Sequence, residues 1–177
     1  AEAEGKYIKQ SGGRGNYGHV KIKLKPLDLT VADEDLPKNT KRTGGFEFIN
    51  NIKGGAIPQE YIAPIEKGLK EGLDRGIVAG FKMVNISCEL TYGSYHDVDS
   101  SEAAFRIAGS MAFKDACRKA KPMILEPIMK VVVITPENFM GDIVGDLSSK
   151  RGVIKEMNAR GEGAAQVKEI HAEVPLS

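Results

Sequence analysis

The chain has 177 residues and a formal charge of +1, with 25 Lys and Arg against 24 Asp and Glu. No field of the whole molecule draws nucleic acid, and any basic surface must be local. Nothing in it is apolar enough to span a bilayer and no signal-peptide pattern opens it, so the expectation is a cytoplasmic protein with no membrane partner and with chain enough to bury a core.

The first elements are strands. Lys6-Tyr7-Ile8-Lys9 reads as a short one. Residues 11–19 hold Gly12, Gly13, Gly15 and Gly18, which permit positive φ and close approach of another backbone. Val20, Ile22 and Leu24 then alternate with Lys21, Lys23 and Lys25, a strand with an apolar face and a basic face. Residues 28–45 have no apolar period and read as a mobile surface excursion. Residues 46–50 resume a strand, and Gly54-Gly55 and Pro58 break the chain. Pro64 suits the first turn of a helix whose buried stripe is Ile62, Ile65, Leu69 and Leu73. Gly76 and Gly80 close it.

Residues 83–90 follow as a half-buried strand, with Val84, Ile86, Cys88 and Leu90 on one side. Cys88 and Cys117 form no CxxC and have no histidine pair nearby, so both read as reduced buried thiols. Gly93-Ser-Tyr-His-Asp-Val-Asp-Ser-Ser-Glu102 is then a strand-to-helix loop. Asp99 is the expected N-cap and Glu102 its capping-box partner. The helix, residues 100–120, carries Ala104, Ile107, Ala108, Met111 and Ala112 as its expected apolar stripe. Lys121-Pro122 stops it and marks a domain boundary.

The second unit begins with a strand over residues 124–134, whose Val131-Val132-Val133-Ile134 run predicts burial on both faces. Met140, Ile143, Val144 and Leu147 form a helical stripe ended by Arg151-Gly152. Gly141 and Gly145 cost that helix about 1 kcal/mol each against alanine, which predicts compensation by close packing on the sheet. Strands over 153–159 and 165–174 complete a βαββ order, and the sheet is expected to keep apolar surface uncovered. The chain is expected to stop inside a domain.

The motifs exclude more than they assign. Gly13-x-Gly15-x-x-Gly18-x-Val20 matches a nucleotide-binding glycine pattern, but it precedes a strand and not a helix. A kinase-type glycine loop needs VAIK, HRD and DFG motifs, and none is present. His96, Asp97, Asp99 and Glu102 lack the calcium-loop spacing, and His96 has no HxxxH or HxxE partner, so no metal is expected. No GxSxG elbow marks a nucleophile, so no catalytic residue is assigned.

What remains is a pair of loops at strand ends of one domain, both mixing glycine with aromatic, basic and amide side chains. RNA is read with such groups. The candidate RNA contacts are Gln10, Ser11, Gly12, Gly13, Arg14, Gly15, Asn16, Tyr17 and His19 in the first loop. In the second they are Gly93, Ser94, Tyr95, His96, Asp97 and Asp99.

Gln10-Ser-Gly-Gly-Arg-Gly-Asn-Tyr-Gly-His19-Val20, Gly93 to Glu102 and Leu125-Glu-Pro-Ile-Met-Lys130 resemble the C-terminal region of the bacterial elongation factor G family of translocase GTPases. Gly141-Asp-Ile-Val-Gly-Asp-Leu147 and His171-Ala-Glu-Val-Pro-Leu-Ser177 fit the same family. The resemblance covers essentially the whole chain. It implies an α+β fold. Residues 1–121 would be domain IV, a ribosomal protein S5 domain 2-like fold with a left-handed βαβ crossover. Residues 122–177 would be the first part of domain V, an incomplete ferredoxin-like βαββ domain.

The resemblance also implies partners. The two loops would form a tip entering the decoding centre of the small ribosomal subunit, with Gln10 to Gly13 and His96 touching the tRNA–mRNA duplex. Domain V would face large-subunit RNA. No GxxxxGK[ST] phosphate loop occurs here, so this segment is not expected to be an enzyme. GTP and magnesium would belong to the G domain of a longer parent. A ribosomal protection protein of the same GTPase family shares this architecture, and the Ser94-Tyr95-His96-Asp97 sequence favours the translocase.

Overall fold

A computed structural model describes residues 1–10, 12–13, 15–161, 163 and 166–176. The chain divides into two compact units, Ala1–Pro122 and Met123–Ser177. Both mix helix and sheet.

The first unit is a five-stranded sheet in the order β1-β2-β5-β4-β3. Its strands are β1 (Glu2–Lys9), β2 (Asn16–Pro26), β3 (Thr40–Thr43), β4 (Phe46–Asn50) and β5 (Ile86–Ser94). Neighbours are antiparallel except β4 and β5, which run parallel and are joined through helix α1 (Ile62–Arg75). Helix α2 (Glu102–Lys119) follows β5. Val20, Ile22 and Leu24 of β2 are buried as their alternation requires, and so are Ile62, Ile65, Leu69 and Leu73 of α1. Apolar burial of this kind contributes about 25 cal/mol per Å².

Helix α2 departs from the expected stripe. Ile107 and Met111 are 40% and 43% exposed, whereas Ala104, Phe105, Ala108, Ala112, Phe113, Ala116 and Cys117 are fully buried. The alanines recur every four residues because the sheet comes too close for anything larger. A Cβ on Gly5 of β1 would stand 2.0 Å from the Ala108 carbonyl oxygen, and one on Gly18 of β2 would stand 2.5 Å from that of Ala104. The other side of α2 meets α1, where a Cβ on Gly68 would stand 2.0 Å from the Arg106 carbonyl oxygen. The Phe105 ring stacks on Tyr61 with centroids 4.6 Å apart. Contact distance, more than hydrophobicity, fixes which face of α2 is inward.

Two strand boundaries also move. β1 begins at Glu2, well before the expected start. β5 begins at Ile86 and not at residue 83, since Asn85 takes φ 56° and Val84 is exposed. β5 then runs on to Ser94 through a bulge: Lys21 pairs with Tyr92 while the next residue, Ile22, pairs with Leu90. The extra residue turns both Thr91 and Tyr92 outward and returns Gly93 to the buried side.

Residues 28–45 hold more structure than their composition predicts. β3 pairs with β4, and Arg42 of β3 gathers the preceding loop. Its guanidinium donates to the carbonyls of Val31 (2.8 Å) and Asp28 (3.2 Å) and to the carboxylates of Asp33 (3.0 Å) and Glu47 (2.9 Å). Glu47 is buried and also accepts from Ser87 Oγ at 2.6 Å. Cys88 and Cys117 are buried free thiols, and burial pushes both well above the ordinary thiol value.

The second unit is a three-stranded antiparallel sheet in the order β6-β8-β7, with β6 Ile128–Thr135, β7 Val153–Arg160 and β8 Val167–Pro175. Helix α3 (Met140–Ser149) supplies Met140, Ile143, Val144 and Leu147 to a small core with Ile170, Ala172 and Val174. Three expectations fail here. Val132 and Ile134 are each 53% exposed, so β6 is not buried on both faces. It also starts at Ile128, later than its apolar run. And a Cβ on Gly141 or Gly145 would meet nothing within 4 Å, so neither glycine serves helix–sheet packing.

Candidate nucleic-acid interface

β2 and β5 are adjacent and antiparallel, so the loop entering β2 and the loop leaving β5 emerge at the same end of the sheet. Gln10, Gly12 and Gly13 of the first loop are exposed, as are Tyr95, His96, Asp97 and Val98 of the second. Gly12 takes φ 51°, with open space where its side chain would be. Ser11 and Arg14 lie outside the described residues.

Behind this exposed rim the loops are tied together. The Gly15 N–H donates to Asp99 Oδ1 at 3.0 Å, and the Tyr17 N–H donates to the Asp99 carbonyl at 2.8 Å. Ser100 is buried, accepts from the His96 N–H at 2.9 Å and donates to the Tyr17 carbonyl at 3.0 Å. Tyr17 and Ser100 thereby form a short parallel bridge. A Cβ on Gly15 would stand 3.0 to 3.1 Å from the Asp99 carboxylate. Gly15 and Gly18 of the glycine pattern are therefore close-approach positions facing the second loop and α2.

Asp99 is not the cap of α2. Ser101 is, its side chain accepting from the Ala104 N–H at 3.2 Å, and the helix opens at Glu102. Both residues have the acceptor chemistry of a cap. The Asp99 carboxylate is drawn away by the amide of Gly15.

His19 is not on the loop surface. It sits in β2, buried, with Nδ1 2.6 Å from Ser94 Oγ and Nε2 2.7 Å from Glu4 Oε1. Burial pushes its pKa below the ordinary imidazole value, more than Glu4 draws it up. Tyr17 Oη is 2.8 Å from the same Ser94 Oγ. Gly93 is also buried, and a Cβ there would stand 2.4 Å from the His19 carbonyl oxygen. Asn16 is half-buried at the start of β2, opposite Lys9. These residues support the tip from beneath.

The aromatic groups that face outward are ordered by this base. The His96 ring lies 6.2 Å from that of Tyr17, tilted 46°, and its side chain is 57% exposed. Its Nδ1 is 3.7 Å from Asp99 Oδ2. Tyr92, turned out by the bulge, meets the His19 ring edge-on at 6.1 Å, with Lys21 Nζ 5.8 Å from its ring centre. Glu4 and Ser100 are not candidates in the sequence. Glu4 becomes a partner only through the β1–β2 register, where it is diagonal to His19.

The fold and the tip define an α+β module, in which a helix-backed sheet presents a pair of linked loops. Comparison with known proteins assigns its family. The chain belongs to the elongation factor G family: residues 1–121 match the model of "Elongation factor G, domain IV" and residues 123–177 that of "Elongation factor G C-terminus". It is 54% identical over 177 residues to the elongation factor G of Petrotoga mobilis, covering 100% of this chain and 24% of that protein. A crystal structure of a Thermus thermophilus protein superposes with a TM-score of 0.80 at 40% identity, covering 99% of this chain and 24% of that one. The chain therefore spans about a quarter of the length of these relatives.

Proposed function

We propose that this chain is the ribosome-contacting arm of a GTP-driven translocase, and that its two-loop tip engages the tRNA–mRNA duplex in the decoding centre of the small subunit. The observation that carries the reading is the linked tip of a chain in this family. Exposed Gly12, Gly13, Tyr95 and His96 stand on a base of buried Gly15, His19 and Ser100. Glycines without side chains bring backbone N–H groups close to phosphate and ribose. The imidazole and phenol add contacts to 2′-OH groups and base edges. Contacts of this kind in the shallow minor groove of an A-form duplex are tolerant of sequence, as a factor serving every codon requires.

In this reading the tip loosens the duplex from the decoding centre and blocks its return, while the sheet and its paired helices hold the loops against the load. The second unit faces large-subunit RNA. GTP and magnesium act in the G domain of the full-length factor, and this segment takes no nucleotide. The factor works in the cytoplasm.

The test is single-round tRNA–mRNA translocation by the full-length factor carrying His96→Ala, with GTP hydrolysis followed in parallel. Translocation slowed by about 10-fold or more with hydrolysis retained is expected, since removal of a positioned contact has effects of that order. Wild-type translocation would remove His96 from the mechanism and leave the reading to the glycine loop alone.

A further inference from the structure

The two loops are joined across 84 residues of chain, and one carboxylate serves both. Asp99 Oδ1 holds the Gly15 amide at 3.0 Å, and Asp99 Oδ2 faces His96 Nδ1 at 3.7 Å. The Asp99 side chain is 19% exposed, against 57% for His96, so it points into the tip while its neighbour points out. Gly15 leaves just enough room for that carboxylate, because a Cβ would press on it at 3.0 Å.

We propose that Asp99 is a positioning residue that fastens the glycine loop to the histidine loop and so makes them one recognition surface. The proposal rests on the tip reading above and gives Asp99 a role in it distinct from RNA contact. A carboxylate turned inward onto a backbone amide is a poor partner for phosphate, which repels it. It is a good acceptor for a backbone amide, and charged acceptors make the stronger bonds. Without the latch, Gly12, Gly13 and Gly15 must be ordered at each encounter with RNA, and glycine restrains its own backbone little.

The latch lies outside the hydrophobic core, whose first α2 member is Phe105. Losing it should therefore leave the unit folded. Ser100 and the Asp99 carbonyl still join the second loop to Tyr17, so the base of the tip persists and the Gly15 amide is released.

Two variants separate positioning from stability and from direct contact. Asp99→Ala removes the acceptor; Asp99→Asn keeps an oxygen at the Oδ1 position and removes the charge. Amide exchange of the Gly15 N–H is measured on the 177-residue chain, and single-round translocation on the full-length factor. For Asp99→Ala, exchange at Gly15 is expected to rise by about 10- to 100-fold, with the amides of β2 and β5 unchanged and translocation slowed by about 10-fold. Asp99→Asn is expected to restore exchange protection and most of the translocation rate.

Unchanged Gly15 exchange in Asp99→Ala would overturn the latch. A translocation defect in Asp99→Asn equal to that of Asp99→Ala, with the Gly15 amide still protected, would overturn it too, by assigning the role to the charge and not to the latch. Restored exchange protection with no effect of either Asp99 variant or of His96→Ala on translocation would instead count against the tip reading, with the latch intact as a structural fact.

Discussion

The two units solve one problem, a helix laid on a sheet, in opposite ways. In the first, glycines in the strands face alanines in α2, and the backbones nearly touch: Gly5 and Gly18 leave no space for a Cβ. Phe105 and Phe113 then fill the room between the helices and the sheet, both fully buried. In the second unit glycine sits on the helix and not on the sheet, and it faces open space. One helix covers one side of a three-stranded sheet, and among the described residues Leu147, Ile170, Ala172 and Val174 are its buried apolar side chains. At the helix–sheet contact Gly5 and Gly18 are thus packing devices, whereas Gly141 and Gly145 of α3 are unpacked positions. The first unit packs its helix closely against the sheet that carries the two loops. The second keeps Val132, Ile134 and Met157 about half exposed, and a sheet of this size with one covered side is marginal by itself.

The largest expected effect breaks the tight side of that contrast. Gly5→Ala would set a methyl group 2.0 Å from the Ala108 carbonyl oxygen and 2.7 Å from the Ala112 nitrogen. Both are helix backbone, so α2 must shift off the sheet. Overpacking that cannot relax through a side chain is expected to cost about 3 kcal/mol. Calorimetry that resolves two transitions should show the loss in the transition of the first unit alone. An unchanged first transition would mean that α2 is free to slide on β1.

Truncating a leucine in each core gives the next effect. Leu69 of α1 is fully buried and Leu147 of α3 is 7% exposed at the edge of a smaller cluster. Leu69→Ala is expected to cost about 3 kcal/mol and Leu147→Ala about 2 kcal/mol, because a thin core collapses more readily around the lost atoms. Urea titration of each variant measures the difference. Equal costs would erase the distinction between the two cores.

Acid sharpens the comparison through Glu47, the buried carboxylate of the first unit. Burial pushes its pKa up, but hydrogen bonds from Ser87 and Arg42 and the charge of Arg42 outweigh it, and the carboxyl is held below its ordinary value. A depressed carboxyl contributes stability that is fully present above the ordinary value near 4.5 and is lost as pH falls through the lowered folded-state value. The first transition should therefore move to lower temperature as the pH drops below about 4.5. Glu47→Gln should flatten that limb. A limb of the same slope in Glu47→Gln would assign the acid sensitivity to other carboxylates.

These contrasts also explain what the sequence discloses. α1 and β4 are legible because Ile65, Leu69, Leu73, Phe46 and Phe48 are large and apolar, so hydrophobic period and burial coincide. α2 is not, since its buried stripe is mostly alanine. A reading by hydropathy promotes Ile107 and Met111, and the closeness of the Gly5 and Gly18 backbones decides otherwise. The tip divides the same way. Its exposed members can be named from residue chemistry and from the family resemblance. His19, Gly93 and Asp99 read as surface residues because their partners, Glu4, Ile57 and Gly15, come from distant parts of the chain. Arg42 escapes notice for the same reason: a lone arginine in a polar stretch gives no sign that carbonyls and carboxylates converge on it. The partner across the fold is what the pattern along the chain does not contain.

The smallest effect has the opposite sign, and it tests the loose side of the contrast. Gly145 lies inside α3, and a Cβ there meets nothing within 4 Å. Glycine in a helix interior is about 1 kcal/mol less favourable than alanine, through backbone entropy. Gly145→Ala should therefore stabilise the second unit by roughly 0.5 to 1 kcal/mol, raising its transition by a few degrees for a unit of this size. The first transition should not move. The same substitution at Gly5 is expected to destabilise, so one pair of variants reads out both kinds of helix–sheet packing. If Gly145→Ala lowered the second transition, that face of α3 would be in contact in solution and the second unit more closely packed than its single helix provides for.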